Sequence, residues 1–125
     1  MMGGALAGRR VLLVEDEYFL ADELDSALTD AGAKVLGPVA SVRAALDLLH
    51  HEPAPDVAML DVSLSGEMVY PVADALASRG VPFLFATGYD RVALPERYAA
   101  MRRLEKPVDV SAVLRELGRL LGGGG

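Results

Sequence analysis

The stretch Val57-Ala58-Met59-Leu60-Asp61 constrains this chain more than any other. Four apolar residues in succession form a strand buried on both faces, the kind that sits inside a parallel α/β sheet. Such a strand keeps ionised groups out of its path, so Asp61 marks its end. In open parallel sheets ligands and chemistry gather at the carboxyl ends of the strands, which makes Asp61 a candidate working group. Asp also opens turns through local hydrogen bonds. Taken alone, Asp61 leaves both readings open.

The rest of the chain repeats the pattern of strand followed by helix. Val11 to Val14 is a first buried strand, and it ends in Glu15-Asp16-Glu17. Leu20, Leu24, Ala27, Leu28 and Ala31 recur at helical spacing, with Gly32 placed as a C-terminal cap. Lys34 to Ala40 is a second strand, and Pro38 within it suits a sheet edge, where a missing donor is tolerated. Ser41 caps a second helix whose inward face is Val42, Ala45, Leu46 and Leu49, closing at His50-His51-Glu52-Pro53. Adjacent histidines on a helix point about 100° apart and cannot share a metal as an i, i+4 pair can. At a helix end they complement the macrodipole instead.

Gly66 to Arg79 is a third helix region with Val69, Val72, Ala73 and Leu76 inward; Pro71 places its start near that residue, and Gly80 ends it. Pro82 to Ala86 is a fourth strand, followed by Thr87-Gly88-Tyr89-Asp90 and a short helix from about Arg91 to Ala99. Met101 to Glu105 is a fifth strand, ended by Lys106-Pro107. The last helix runs from about Asp109 to Leu121, with Val110, Val113, Leu114, Leu117, Leu120 and Leu121 inward and Arg115, Glu116 and Arg119 outward. Five alternations predict an α/β fold, a parallel sheet with helices on both faces and right-handed crossovers.

A length of 125 residues suits one domain, here residues 9–121, between a small, glycine-rich N-terminus at 1–8 that is expected to fray and a flexible glycine tail at 122–125. The net charge of -6 argues against a nucleic-acid surface, which needs clustered Lys and Arg. With no cysteine there is no disulfide framework, thiol nucleophile or thiolate metal site. The apolar run after Arg9-Arg10 is four residues long, too short for a signal peptide or a membrane span. These features lead us to expect a soluble cytoplasmic protein with no membrane partner.

Glu15 with Asp16, Asp61, Thr87 and Lys106 each stand at the end of a strand, and in a parallel sheet such ends share one edge. Singly, Asp16 can cap a helix, Glu15 can be solvated, Thr87 can be a turn hydroxyl and Lys106 a surface lysine. Jointly they form a chemical set. Clustered acids repel unless a hard divalent cation sits among them, and Mg²⁺ is held by one or two carboxylates, waters and phosphate oxygens. Lysine supplies a point charge and threonine a hydroxyl donor, the groups that hold the oxygens of a phosphoryl group. A carboxylate can then act as nucleophile and form an acyl phosphate.

From Arg9 to Leu121 the sequence resembles the receiver domain of two-component response regulators. The matching motifs are Val11-Leu12-Leu13-Val14-Glu15-Asp16-Glu17, Leu60-Asp61-Val62-Ser63-Leu64-Ser65-Gly66, the Thr87 position and Lys106-Pro107, in this order and spacing. The resemblance implies a doubly wound (βα)5 flavodoxin-like fold with strand order 2-1-3-4-5. It makes Asp61 the phosphoacceptor, with Asp16 as a direct Mg²⁺ ligand, Glu15 an acidic partner acting through water and the Ser63 backbone carbonyl a further ligand. Thr87 would close onto the phosphoryl oxygens, and Lys106 would pair with the phosphoryl group across a cis bond to Pro107.

Phe85-Ala86-Thr87-Gly88-Tyr89 is similar to the Phe-Ala-Thr-Gly-Tyr subgroup of receivers, mostly stand-alone domains known chiefly from alphaproteobacteria. The implied partners are a sensor histidine kinase or histidine phosphotransfer protein and a downstream protein, with the chain acting as relay, sink or switch. It would be a monomer or weak homodimer. The implied chemistry is self-catalysed phosphoryl acceptance and autodephosphorylation rather than turnover of a substrate. One position departs from the family: most receivers carry Tyr or Phe three residues before the lysine, where this chain has Arg103. Tyr89 then either takes part in the switch or controls water access, or it is an ordinary loop aromatic.

Three rival readings fit less well. An aspartyl-phosphate phosphatase of the haloacid dehalogenase type needs a second Asp two residues after the nucleophile, where Ser63 stands. A flavodoxin-like cofactor binder needs a Ser/Thr/Gly-rich phosphate loop after the first strand, where this chain has acids. A receiver-shaped docking module that works without phosphorylation is disfavoured by the presence of the full acidic set, Thr87 and Lys106.

Overall fold

The buried apolar runs lie side by side as five parallel strands. A computed structural model describes residues 4–88 and 94–122. In chain order it contains β1 (Arg10–Val14), α1 (Tyr18–Asp30), β2 (Lys34–Val39), α2 (Val42–His51), β3 (Val57–Asp61), β4 (Ser63–Leu64), β5 (Glu67–Met68), α3 (Tyr70–Ser78), β6 (Phe83–Thr87), a 3₁₀ turn (Glu96–Tyr98), β7 (Arg103–Glu105) and α4 (Val110–Leu120). The main sheet has the order β2-β1-β3-β6-β7, which is 2-1-3-4-5 when its own strands are counted. All four pairings in it are parallel.

Side chains alternate across each strand, so one run of sequence feeds two cores. From β3, Ala58 and Leu60 join Val42, Ala45, Leu49, Val72 and Leu76 of α2 and α3. Val57 and Met59 point the other way, against Leu24, Leu28, Val113 and Leu117 of α1 and α4. All five residues of β3 are buried, as they are in β6. Fully burying an aliphatic side chain of this size stabilises the fold by about 1.5–3 kcal/mol.

Helix boundaries follow the expected signals. Ser41 Oγ accepts from the Ala44 amide at 3.1 Å, and Asp109 caps α4 by accepting from Ser111 N at 3.3 Å. Gly32, with φ of 89°, closes α1 in the left-handed conformation. β2 is an edge strand containing Pro38, as expected. At Gly37, φ is 103° and a Cβ would lie 2.7 Å from Val39 N and 2.8 Å from Leu13 O, so no side chain fits there. His50 and His51 lie in the last turn of α2, where His51 Nδ1 meets Asp47 O at 2.8 Å.

Four features differ from the sequence reading. Leu6 is buried and packs beside Leu24, Leu28 and Val113, so the segment expected to fray contributes to the core at that residue. Residues 63–68 form a small antiparallel hairpin, β4 with β5, before α3 begins at Tyr70. The fifth sheet strand is confined to Arg103–Glu105. Of the short helix expected over 91–99, residues 94–99 contain the 3₁₀ turn, and 91–93 lie outside the described residues.

Candidate functional site

Parallel strands deliver the expected residues to one edge of the sheet. Asp61 is the last residue of β3, Thr87 the last of β6, and Glu15 follows β1 directly. Among the described residues, the buried polar and charged side chains are these three: Glu15, Asp61 and Thr87. Groups that cost several kcal/mol to bury unpaired have been gathered in one place. The cis peptide between Lys106 and Pro107 expected from the resemblance is present.

Lys106 pairs with three of the acids. Its Nζ lies 2.9 Å from Asp61 Oδ2 and 3.0 Å from Glu15 Oε2, and it also donates to Glu17 Oε2. The backbone fixes this arrangement from both sides, since the Lys106 amide donates to Thr87 O at 2.7 Å and the Glu17 amide to Glu15 Oε2 at 2.9 Å. Glu15, Asp16 and Asp61 each offer a carboxylate oxygen within 4.8 Å of the others. Ser63 N donates to Asp61 Oδ1 at 3.3 Å, so its peptide lies at the cluster. Ser65 Oγ donates to Asp16 Oδ2 at 2.9 Å.

Burial and charge act against each other here. Burial, with the nearby Asp61 charge in support, pushes the Glu15 carboxyl from 4.5 to about 7, against the bonds from the Glu17 amide and Lys106. Asp61 is also raised by burial, while Lys106 and the Ser63 amide pull it back. Burial alone would lower the Lys106 ammonium; hydrogen bonds to Glu17, Asp61 and Glu15 outweigh it and hold the group firmly charged. One cation thus serves a cluster of four acids, and Glu15 Oε1 is buried with no hydrogen-bond partner among the described residues. An orphaned carboxylate oxygen in a charge-deficient cluster fits a divalent cation and its waters, so the residues suit the metal that the resemblance implies.

The remaining expected residues fall as follows. Ala86 is buried and lies opposite Asp61 in the β3–β6 register. Arg103 is exposed at the start of β7, paired with Phe85. Tyr89 lies outside the described residues. Sequence reasoning missed Glu17 as a partner of Lys106 and Ser65 as a partner of Asp16. It also missed Tyr98, whose buried ring packs on Phe83 and Phe85 and whose hydroxyl donates to Asp74. None of these contacts is local in sequence, so only the pattern of acids around residue 16 offered a hint.

The fold and the site together define a doubly wound α/β domain with an acidic, lysine-bridged cluster at the carboxyl edge of its sheet. No protein-family model matches the chain. The solution structure of SdrG from Sphingomonas melonis Fr1 is 37% identical, with a TM-score of 0.78 covering 94% of this chain and 98% of that one. A BeF3-activated conformation of SdrG is 36% identical with a TM-score of 0.73, covering 92% and 98% of the two chains. The sensory transduction protein LytT of Bacillus subtilis (strain 168) is 33% identical over 112 residues, 86% of this chain and 46% of LytT. A response regulator receiver protein from Sinorhizobium medicae WSM419, 24% identical with a TM-score of 0.77 over 92% and 95% of the two chains, shares the fold. The chain spans about half the length of the curated relatives it matches. It belongs to the response regulator receiver-domain family.

Proposed function

We propose that this chain accepts a phosphoryl group on Asp61 from a phosphohistidine of a sensor kinase or phosphotransfer protein, in a Mg²⁺-dependent reaction, and signals through a protein partner. The observation that carries this reading is the Lys106 Nζ to Asp61 Oδ2 contact of 2.9 Å within the cluster of Glu15, Asp16 and Asp61. An Asp61 carboxylate oxygen attacks phosphorus as the donor imidazole leaves, and Lys106 stays beside the new phosphoryl oxygens to balance their charge. Thr87, one residue beyond Ala86, the register partner of Asp61, supplies a hydroxyl donor. Glu15, Asp16, Asp61 and the Ser63 carbonyl would hold Mg²⁺, which when bound neutralises charge on the phosphoryl oxygens.

The motif Phe85-Ala86-Thr87-Gly88-Tyr89 and the similarity to SdrG support a place in the Phe-Ala-Thr-Gly-Tyr subgroup and a stand-alone relay, sink or switch role. With Arg103 exposed where an inward-turning aromatic is usual, the readout passes through other residues, Tyr89 among them. The test is transfer from a labelled phosphohistidine protein, with and without chelator. Transfer that needs the divalent cation and is absent in Asp61→Asn supports the reading; cation-independent partner binding by a folded chain that never accepts label overturns it.

A further inference from the structure

We infer that Ser65 is a positioning residue for the cation site: its hydroxyl holds the Asp16 carboxylate in the cluster, and without it the site takes Mg²⁺ more weakly. This inference rests on the cation site proposed above.

The three clustered acids are not equally restrained. Glu15 and Asp61 are buried at 2% and 3% exposure and tied to Lys106. Asp16 is half-buried and makes no bond to Lys106. With oxygens of all three acids within 4.8 Å, repulsion falls on the one that can leave. Asp16 is that residue, and among the described residues its one side-chain hydrogen bond comes from Ser65 Oγ at 2.9 Å.

Ser65 is placed for this by a short hairpin anchored in the core through Leu64. It occupies the tip of the β4–β5 hairpin, in the left-handed region with φ of 52°, a conformation that disfavours residues with a Cβ. Gly66 beside it, with φ of 87°, completes the reversal. Glycine or asparagine would occupy this position with less strain, and the serine found there donates its hydroxyl to Asp16. The same hairpin begins at Ser63, whose amide bonds Asp61 Oδ1 at 3.3 Å. One short element therefore orients two acids, Asp61 at the end of β3 and Asp16 in the loop after β1, as outer-shell partners do around metals.

The test is the Mg²⁺ dissociation constant by calorimetry at neutral pH for the full chain, with thermal midpoints measured in chelator. Ser65→Ala keeps the Cβ and loses the donor, Ser65→Gly loses the donor and relieves the backbone, and Ser65→Asn keeps a donor in a residue suited to positive φ. The expected result is Mg²⁺ binding weakened about threefold to tenfold in the Ala and Gly variants, with the Asn variant close to the parent. Ser65→Gly should bind Mg²⁺ more weakly even with an unchanged or raised midpoint in chelator, which a merely structural role would not produce. Parent-like Mg²⁺ affinity in both Ala and Gly variants overturns the role of Ser65 and leaves the cation site standing. A parent chain that binds no Mg²⁺ overturns the site itself and this inference with it.

Discussion

Lys106 and Asp61, 45 residues apart in sequence, meet at 2.9 Å at the carboxyl edge of the sheet. Both side chains are largely buried, and the buried Glu15 carboxylate shares the same ammonium. The pairing is stable because each partner would be costly alone. Replacing Lys106 by Met leaves two buried carboxylates without a cation, and such a loss destabilises by about 3 kcal/mol. Urea denaturation in chelator should show that loss at pH 7.5 and a smaller one at pH 5, where Glu15 takes up a proton; an equal loss at both would contradict the electrostatic origin.

Glu15 sets a pH dependence of its own. Its carboxyl titrates near 4.5 when unfolded and at about 7 when folded, raised chiefly by burial. Between those values the folded chain holds the extra proton, so the stability from this group is complete below 4.5 and is lost as pH rises through about 7. Glu15→Gln, which keeps an acceptor for Lys106, should therefore gain stability relative to the parent as pH rises across that window in chelator. Thermal midpoints of the pair measured from pH 4.5 to 8 check it; parallel curves would refute the shift.

Two backbone and core positions carry predictions that do not involve the site. Gly37→Ala forces a Cβ to 2.7 Å from Val39 N at φ of 103° and should cost more than about 1 kcal/mol in chemical denaturation. Phe85 is fully buried and packs edge-on against Tyr70, Phe83 and Tyr98. Phe85→Ala should cost about 3–5 kcal/mol, the range for opening a cavity in a rigid core.

Tyr18 and Phe19, at 76% and 84% exposure, open α1 one residue beyond Glu17. Beside them a groove of about 410 Å³ reaches Lys106 past Leu20, Glu23, Pro107 and Val108. On the proposed function, large apolar groups left in water beside this groove would meet the phosphohistidine protein. Phe19→Ala should leave stability and phosphorylation by acetyl phosphate within error while slowing transfer from a phosphohistidine protein about tenfold, measured by single-turnover label transfer.

The sheet was legible because its three central strands carry apolar runs and its helices carry clean inward faces, such as Val42, Ala45 and Leu49. Asp16, Asp61, Thr87 and Lys106 were legible because parallel strands bring successive ends to one edge whatever the loops do. The β4–β5 hairpin was not, since strands of two residues carry no period. No local pattern singles out Glu17; it is the N-cap residue of α1, makes no cap bond, and accepts from Lys106 instead. The contact of Ser65 with Asp16 spans 49 residues and depends on a φ of 52° that no local pattern announces.

The central claim is that Asp61 is the phosphoacceptor, and it is tested most directly by trapping the bond. The chain is incubated with Mg²⁺ and acetyl phosphate, the acyl phosphate is reduced with borohydride, and the modified residue is mapped by peptide mass spectrometry. The account expects homoserine at position 61, absent without Mg²⁺ and absent in Asp61→Asn. Modification at another carboxylate of the folded parent, or none from acetyl phosphate or any phosphohistidine donor, would contradict it.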